Sequence, residues 1–220
     1  MEHKFNLKPI LNHYESCLET HQNGSKAVDW SSETGQKLRF KKILEVGDFA
    51  GCTILDVGCG LGHFYEYLTQ DLDFPIDYTG LDISKKMITA AKNRLPDAEF
   101  VAGDLLDKKI PPFSDSRSFD YSVACGVFTV KQSISDEEWW SFICQTVTEM
   151  YERSTKGVVF NLMTPYVDWK NPHLFYAEML KTTGFCRSLS PYFTIHHDYP
   201  LYEFMVFIYR ESGIGLGESS

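Results

Sequence analysis

Three glycines and two carboxylates stand at a spacing that can hold a charged small ligand. In Ile54-Leu55-Asp56-Val57-Gly58-Cys59-Gly60-Leu61-Gly62 a short apolar run, readable as a strand, ends in a glycine loop that opens a helix. Glycines in that context let a ligand approach the backbone closely. Some 20 residues past Gly62, Asp82 closes the next apolar run, where a carboxylate can accept from both hydroxyls of a ribose. A dinucleotide fingerprint has the spacing G-x-G-x-x-G; here it is G-x-G-x-G, and His63 stands where the last glycine would be. Asp56, two residues before the first glycine, would sit badly beside a pyrophosphate and well beside an ammonium or sulfonium. The pattern favours a ligand that is cationic near the loop, and leaves an NAD-dependent oxidoreductase as the rival.

Other residues weigh less. Asp104 follows a third strand candidate as Asp82 follows the second; both could instead cap the helices after them. Cys59 reads as small filler in the loop, and Cys125, at the end of the fourth strand candidate, could line a pocket but has no assignable base. His63 fits a surface role as well as a ligand contact. The turn His196-His197-Asp198-Tyr199 closes a sixth strand, at the edge where parallel sheets bind ligands. His197 is therefore the first candidate for a general base, with Asp198 orienting it or acting directly, against a reading as polar turn residues. Alternation along a strand lets only one of His196 and His197 face the site.

These residues need a frame. Residues 1–47 read as a helical preface: Leu7, Ile10, Leu11, Tyr14 and Leu18 recur at helical spacing, Asn23-Gly24 marks a turn, and a second helical stretch covers 33–46. Strand and helix signals then alternate: strands at 53–57, 78–82, 99–102, 119–128 and 157–163, helices at 63–70, 85–95, 135–153 and 173–183. Ser135 with Glu138 forms a capping-box pattern. The runs 185–197 and 201–210 read as a β-hairpin. The alternation predicts an α/β, Rossmann-like doubly wound sheet, with the final hairpin adding one antiparallel strand. The expected organisation is a helical lid over 1–47, one domain over 48–210 and a disordered tail over 211–220.

Composition narrows the partners. The 220 residues carry 21 basic and 30 acidic side chains, a formal charge of −9, which disfavours nucleic acid. Six scattered cysteines give neither a C-x-x-C pair nor a zinc-ligand spacing, so no metal is expected. The start has no basic segment followed by an apolar one, and the longest apolar stretches fall far short of the roughly 20 residues that span a bilayer. The expectation is a reduced, cytoplasmic protein that does not enter the membrane; its oligomeric state is not legible.

Over residues 34–210 the sequence resembles the class I S-adenosylmethionine-dependent methyltransferases. Asp56-Val57-Gly58-Cys59-Gly60-Leu61-Gly62 is similar to their first motif, whose backbone lies against the methionine moiety. The resemblance implies that Asp82 binds the ribose, that Ile83 lies beside the adenine, and that Asp104 in Gly103-Asp104-Leu105 receives the adenine amino group. It also implies that the end of the fourth strand, at Cys125, faces the reacting sulfur, and that the sheet has seven strands with the last antiparallel. Arg39 matches an N-terminal cation that in related enzymes can hold the cofactor carboxylate. His13-Tyr14-Glu15, Val28-Asp29-Trp30, Gly126-Val127-Phe128-Thr129-Val130-Lys131 and Tyr202-Glu203-Phe204 are further similar to a group of small bacterial methyltransferases without a general substrate.

The expected activity is therefore methyl transfer from S-adenosyl-L-methionine to oxygen or nitrogen of a small molecule, by in-line displacement. The fourth strand ends Ala124-Cys125-Gly126-Val127, not in the Asp/Asn-Pro-Pro-aromatic motif of many base amino-methyltransferases. A catalytically inactive cofactor-binding subunit stays open as the alternative.

Overall fold

A computed structural model describes residues 5–107 and 117–211. Seven strands form one sheet: β1 (Thr53–Val57), β2 (Asp77–Asp82), β3 (Glu99–Ala102), β4 (Phe119–Ala124), β5 (Ser154–Met163), β6 (Phe193–His196) and β7 (Glu203–Tyr209). Their spatial order is β3-β2-β1-β4-β5-β7-β6. β1 to β5 pair in parallel, while β7 runs antiparallel between β5 and β6. This is the expected Rossmann-like fold with its antiparallel end.

Alternation along the strands builds two cores. Leu55, Val57, Val158, Phe160, Phe204 and Val206 point to one face, and Ile54, Val123, Val159, Met205 and Phe207 to the other. The first face is covered by α5 (Asp136–Glu152) through Trp139, Ile143, Val147 and Met150, and by α6 (Met179–Leu189) through Cys186. The second is covered by α2 (Glu33–Ile43), α3 (His63–Glu66, continuing into a π-helical turn to Asp71) and α4 (Lys85–Arg94), through Phe40, Phe64 and Ile88. Strands apolar on both faces need such double cover. α1 (Lys8–His21) lies across the top, with Ile10 in the first core and Tyr14 and Leu18 against Met87. α2 is thus part of a helical layer, while α1 and residues 28–30 form the cover.

Serines start three of the helices: the hydroxyls of Ser32, Ser84 and Ser135 accept from the amides of Gly35, Met87 and Glu138. The expected helix over 173–183 is displaced. Phe175 and Ala177 instead donate amides to Thr129 and Met163, and Leu174 and Tyr176 bridge Val130 and Met163. Pairing with the loop after β4 and the end of β5 outcompetes the local helical preference, and α6 begins only at Met179. It then runs through Phe185 to Leu189, so the strand expected over 185–197 shrinks to the four residues of β6. Likewise β4 stops at Ala124, because Gly126 turns the chain with φ +80°. Of the expected tail, 212–220 lie outside the described residues.

Candidate active site

The C-terminal ends of β1, β2, β3 and β4 share one edge of the sheet, and under α1 they enclose a cavity of about 500 Å³. β1 delivers Asp56, and the turn after it Gly58, Cys59 and Gly60. β2 delivers Asp82, with Ile83 next to it, and the turn after β3 delivers Gly103, Asp104 and Leu105. Cys125 follows β4, and Arg39 reaches in from α2.

The glycine loop is tied to β2. Gly58 and Cys59 donate their amides to the Leu81 carbonyl at 2.7 and 3.0 Å. Gly60 donates to Asp82 Oδ2 at 3.0 Å, and Ser84 to Oδ1 at 2.8 Å. Burial nevertheless pushes the Asp82 pKa up to about 6. Gly60 has φ +54°, and a Cβ on it would lie 2.9 Å from Val28, so both conformation and space require glycine. Asp56 is 3% exposed and accepts from the Tyr78 hydroxyl at 2.6 Å. Burial raises its pKa to about 7 against that hydrogen bond.

Three expectations need correction. Gly62 does not line the cavity: a Cβ there would meet Phe100 at 2.6 Å and Leu95 at 2.8 Å, so this glycine lets the loop pack on β3 and the end of α4. His197 and Asp198 also stand outside. His197 is exposed, edge-on to the Phe204 ring, and Asp198 pairs with Lys42 at 3.0 Å on the surface. The reason is topological, because β6 is the outermost strand, beyond β5 and β7, and its end lies far from β1 and β4. The imidazoles at the cavity are His173, from the connection between β5 and α6, and His63. His63 Nδ1 accepts from Gln36 at 3.1 Å, and burial lowers its pKa to about 4, so it is neutral at pH 7 and carries its proton on Nε2. Burial also drives the thiols of Cys59 and Cys125 well up, so neither is a thiolate at neutral pH.

Arg39 belongs to a buried network. Its Nε and Nη2 donate to Glu203 at 2.9 and 2.8 Å, its Nη1 to the Gly35 carbonyl at 3.0 Å, and its guanidinium lies 4.0 Å over the Trp30 ring. Glu203, 3% exposed, also accepts from Asn161 at 3.1 Å and from the Tyr199 hydroxyl at 3.3 Å. Asn161 in turn accepts from the Gly126 amide at 2.7 Å. Trp30 fills the space that a Gly126 side chain would need, 2.3 Å from where its Cβ would be. The resemblance to the small bacterial group includes Trp30 and Glu203 but gives them no role, and Asn161 was missed. The available signal was a polar residue inside an otherwise apolar strand.

The cover is fastened at both sides of the cavity mouth. His13 Nε2 bonds Asp29 at 2.7 Å, with Cys17 Sγ 4.0 Å from the same nitrogen, and Glu15 accepts from the Ser84 hydroxyl at 2.9 Å. Between these fastenings Tyr14 lines the cavity, and burial raises the pKa of its phenol. His13, Cys17 and Asp29 put three possible metal-ligating atoms within 4.8 Å, a grouping that sequence spacing could not show because Asp29 comes from a separate turn.

Residues 54–152 match a family described as a methyltransferase domain. The chain is 34% identical over 166 residues to "Putative methyltransferase Rv1506c" of Mycobacterium tuberculosis, covering 73% of this chain and 94% of that protein. A shorter match, 40% identity over 58 residues (26% of this chain, 23% of the relative), is to the dTDP-3-amino-3,4,6-trideoxy-alpha-D-glucopyranose N,N-dimethyltransferase of Streptomyces venezuelae. In fold, the chain matches the S-adenosylmethionine-bound magnesium protoporphyrin IX methyltransferase of Synechocystis with a TM-score of 0.64 at 13% identity, over 96% of this chain and 100% of that one. The chain belongs to the class I S-adenosylmethionine-dependent methyltransferases. S-adenosylmethionine is its cofactor.

The residues present fit that cofactor. Asp82 is half-buried, spends one acceptor position per oxygen on a backbone amide, and has no lysine or arginine partner among the described residues. A carboxylate accepts about four hydrogen bonds, so two positions are left for a diol. Asp56 is a buried acid whose charged form a neighbouring cation would favour.

Proposed function

We propose that this enzyme methylates oxygen or nitrogen of a small molecule. One observation carries the reading: the cavity joins a half lined by acids and glycines to a half lined by Ile10, Leu11, Val130, Trp139, Phe142 and Leu174. The apolar half has the enclosed character of a small-ligand pocket. When bound, S-adenosylmethionine supplies an electrophilic methyl group on a sulfonium.

The chain's own residues do the rest. Asp82 holds the ribose, Asp104 the adenine amino group, and the 58–60 loop, its amides already bonded to Leu81 and Asp82, offers its carbonyls to the methionine ammonium. Arg39, Gln36 and neutral His63 supply donors around that loop. α1 and Trp30 roof the site and exclude water, so alignment in a dry pocket provides most of the acceleration. For an oxygen acceptor His173 takes the proton, since it is the imidazole on the acceptor side. Six cysteines, all free, suit a reducing cytoplasm. No helix among the described residues is long and apolar enough to cross a membrane.

Calorimetry with S-adenosylhomocysteine, followed by transfer of a deuterated methyl group into a metabolite extract read by mass spectrometry, tests the proposal. The expected result is one cofactor site and label in a compound of low mass. Label appearing only in protein or nucleic acid would overturn it. Binding without transfer to any fraction would favour the inactive cofactor-binding subunit.

A further inference from the structure

Two hydroxyls at the cavity have nothing to bond. Among buried side-chain oxygens and nitrogens of the described residues, Thr129 Oγ1 and Thr146 Oγ1 have no hydrogen-bond partner, and both residues line the cavity. Thr146 is 2% exposed and sits on the inner face of α5. Its isolation is unusual within this chain. Thr20, Thr69, Thr89, Thr148, Thr182 and Thr183 all donate to the carbonyl four residues back. Thr148, two residues further along the same helix, makes that bond at 2.7 Å. Thr146 does not, although the local bond is the ordinary resting place for a helical threonine. A buried hydroxyl left unpaired is costly, so valine would serve packing better at both positions.

The walls around these hydroxyls are apolar. Trp139 and Phe142, one turn apart on α5, lie with ring centroids 4.9 Å apart, and Val130 follows Thr129 in the loop after β4. The Trp139 indole already donates to the Phe128 carbonyl at 2.9 Å, so it offers a ligand only its ring. Charge sets a second limit. Asp29, Asp56, Asp82, Asp104 and Glu203 line the cavity, and the guanidinium among them, Arg39, is already paired with Glu203. This field suits a cofactor carrying a sulfonium and an ammonium, and repels an acceptor bearing carboxylate or phosphate.

We infer that the α5 wall of the cavity, Trp139, Phe142 and Thr146 with Thr129 and Val130, is the acceptor subsite, and that it takes an uncharged, largely apolar molecule bearing a hydroxyl or carbonyl group. The inference rests on the small-molecule reading above and narrows it. The rings grip the apolar body, and the two threonine hydroxyls bond the polar group. A single χ1 step exchanges hydroxyl for methyl at a threonine, so each can turn its oxygen toward a ligand without moving the helix. A free amine of low charge fits the same wall; an anion does not.

The test uses the full chain loaded with S-adenosylhomocysteine, and three probes in saturation-transfer NMR: 2-naphthol, naphthalene and 2-naphthoate. The expected order of affinity is 2-naphthol, then naphthalene, then 2-naphthoate. In Thr129→Val/Thr146→Val, 2-naphthol should weaken by about 2–10-fold per hydroxyl and fall to the level of naphthalene, itself unchanged. Valine is nearly isosteric with threonine, and the melting temperature, expected to hold or rise, shows that the variant folds. Equal binding of 2-naphthoate and 2-naphthol would overturn the assignment, as would failure of all three probes to bind the loaded protein. Loss of S-adenosylhomocysteine affinity in the valine variant, with 2-naphthol unaffected, would assign the hydroxyls to the cofactor and also overturn it. Failure of the wild-type chain to bind S-adenosylhomocysteine at all would instead bring down the methyltransferase reading of the cavity, and this inference with it.

Discussion

The amide of Gly60 points at the carboxylate of Asp82 from 3.0 Å, so the glycine loop and the acid at the end of β2 are one unit built from two strands. Removing the acid therefore takes the partner from the amides of Gly60 and Ser84 and, on the function proposed above, from the ribose as well. Asp82→Ala should weaken S-adenosylhomocysteine binding by about 2–4 kcal/mol, and Asp82→Asn, which keeps one acceptor oxygen, by less. Calorimetry on variants with intact melting transitions checks this. Equal affinity in Asp82→Ala and wild type would take the acid out of the site.

Asp56 gives a pH dependence with a definite sign. Its folded-state pKa, about 7, is above the ordinary carboxylate value, so the folded protein holds a proton that the unfolded chain releases. Stability from this group is full below about pH 4 and declines as pH rises toward 7. Asp82, at about 6, acts in the same direction, whereas His63, lowered to about 4, acts in the opposite one up to the usual histidine range. Asp56→Asn removes one contributor and leaves the others in place. Between pH 5 and 7 the variant's melting temperature should gain several degrees relative to wild type, at about 2–4 °C per kcal/mol. Parallel curves would show that this carboxyl does not carry its proton into the folded state.

Arg39 and Glu203 are a buried pair, 13% and 3% exposed. Losing one member strands the other, at a cost of about 3–5 kcal/mol. Arg39→Met and Glu203→Gln should each show this loss in urea denaturation, and the double variant should lose much less than the sum. Strict additivity would mean that the two side chains do not depend on each other.

His197→Ala should change little. The residue is exposed and does not line the cavity, so stability should shift by no more than about 0.5 kcal/mol. Cofactor affinity and methyl transfer, measured on any acceptor found, should stay within about twofold of wild type. A large fall in turnover alone would return the imidazole to the chemistry.

What the sequence made legible was what local patterns encode. Asp56, Gly60, Asp82 and Asp104 sit at strand ends, and strand ends follow from apolar runs that stop at glycine or acid. Parallel strands then bring those ends to one edge without further information. The errors arose where a distant partner decides. Residues 173–178 have helical spacing, yet their amides pair with Thr129 and Met163. Phe185 and Cys186 look β-prone, yet they continue α6, whose buried face ends in the first core. His197 was placed at the right end of the right strand, but strand order decides how far that end is from the site, and order is not written in any local pattern. Asn161 shows the same limit, because its significance appears only once Gly126 and Glu203 are known to flank it.

The Arg39–Glu203 pair joins residues 164 positions apart, and this separation has a consequence during synthesis. The segment that carries Trp30 and Arg39 leaves the ribosome 164 residues ahead of the carboxylate that anchors it. At about 5–20 residues per second, roughly 10–30 seconds separate the two. Through that interval the guanidinium and Trp30 have the glycine loops to rest on but no buried acid to fasten them. A growing chain therefore carries its roof unlatched until β7, which opens with Glu203, pairs with β5 and brings that carboxylate under Arg39.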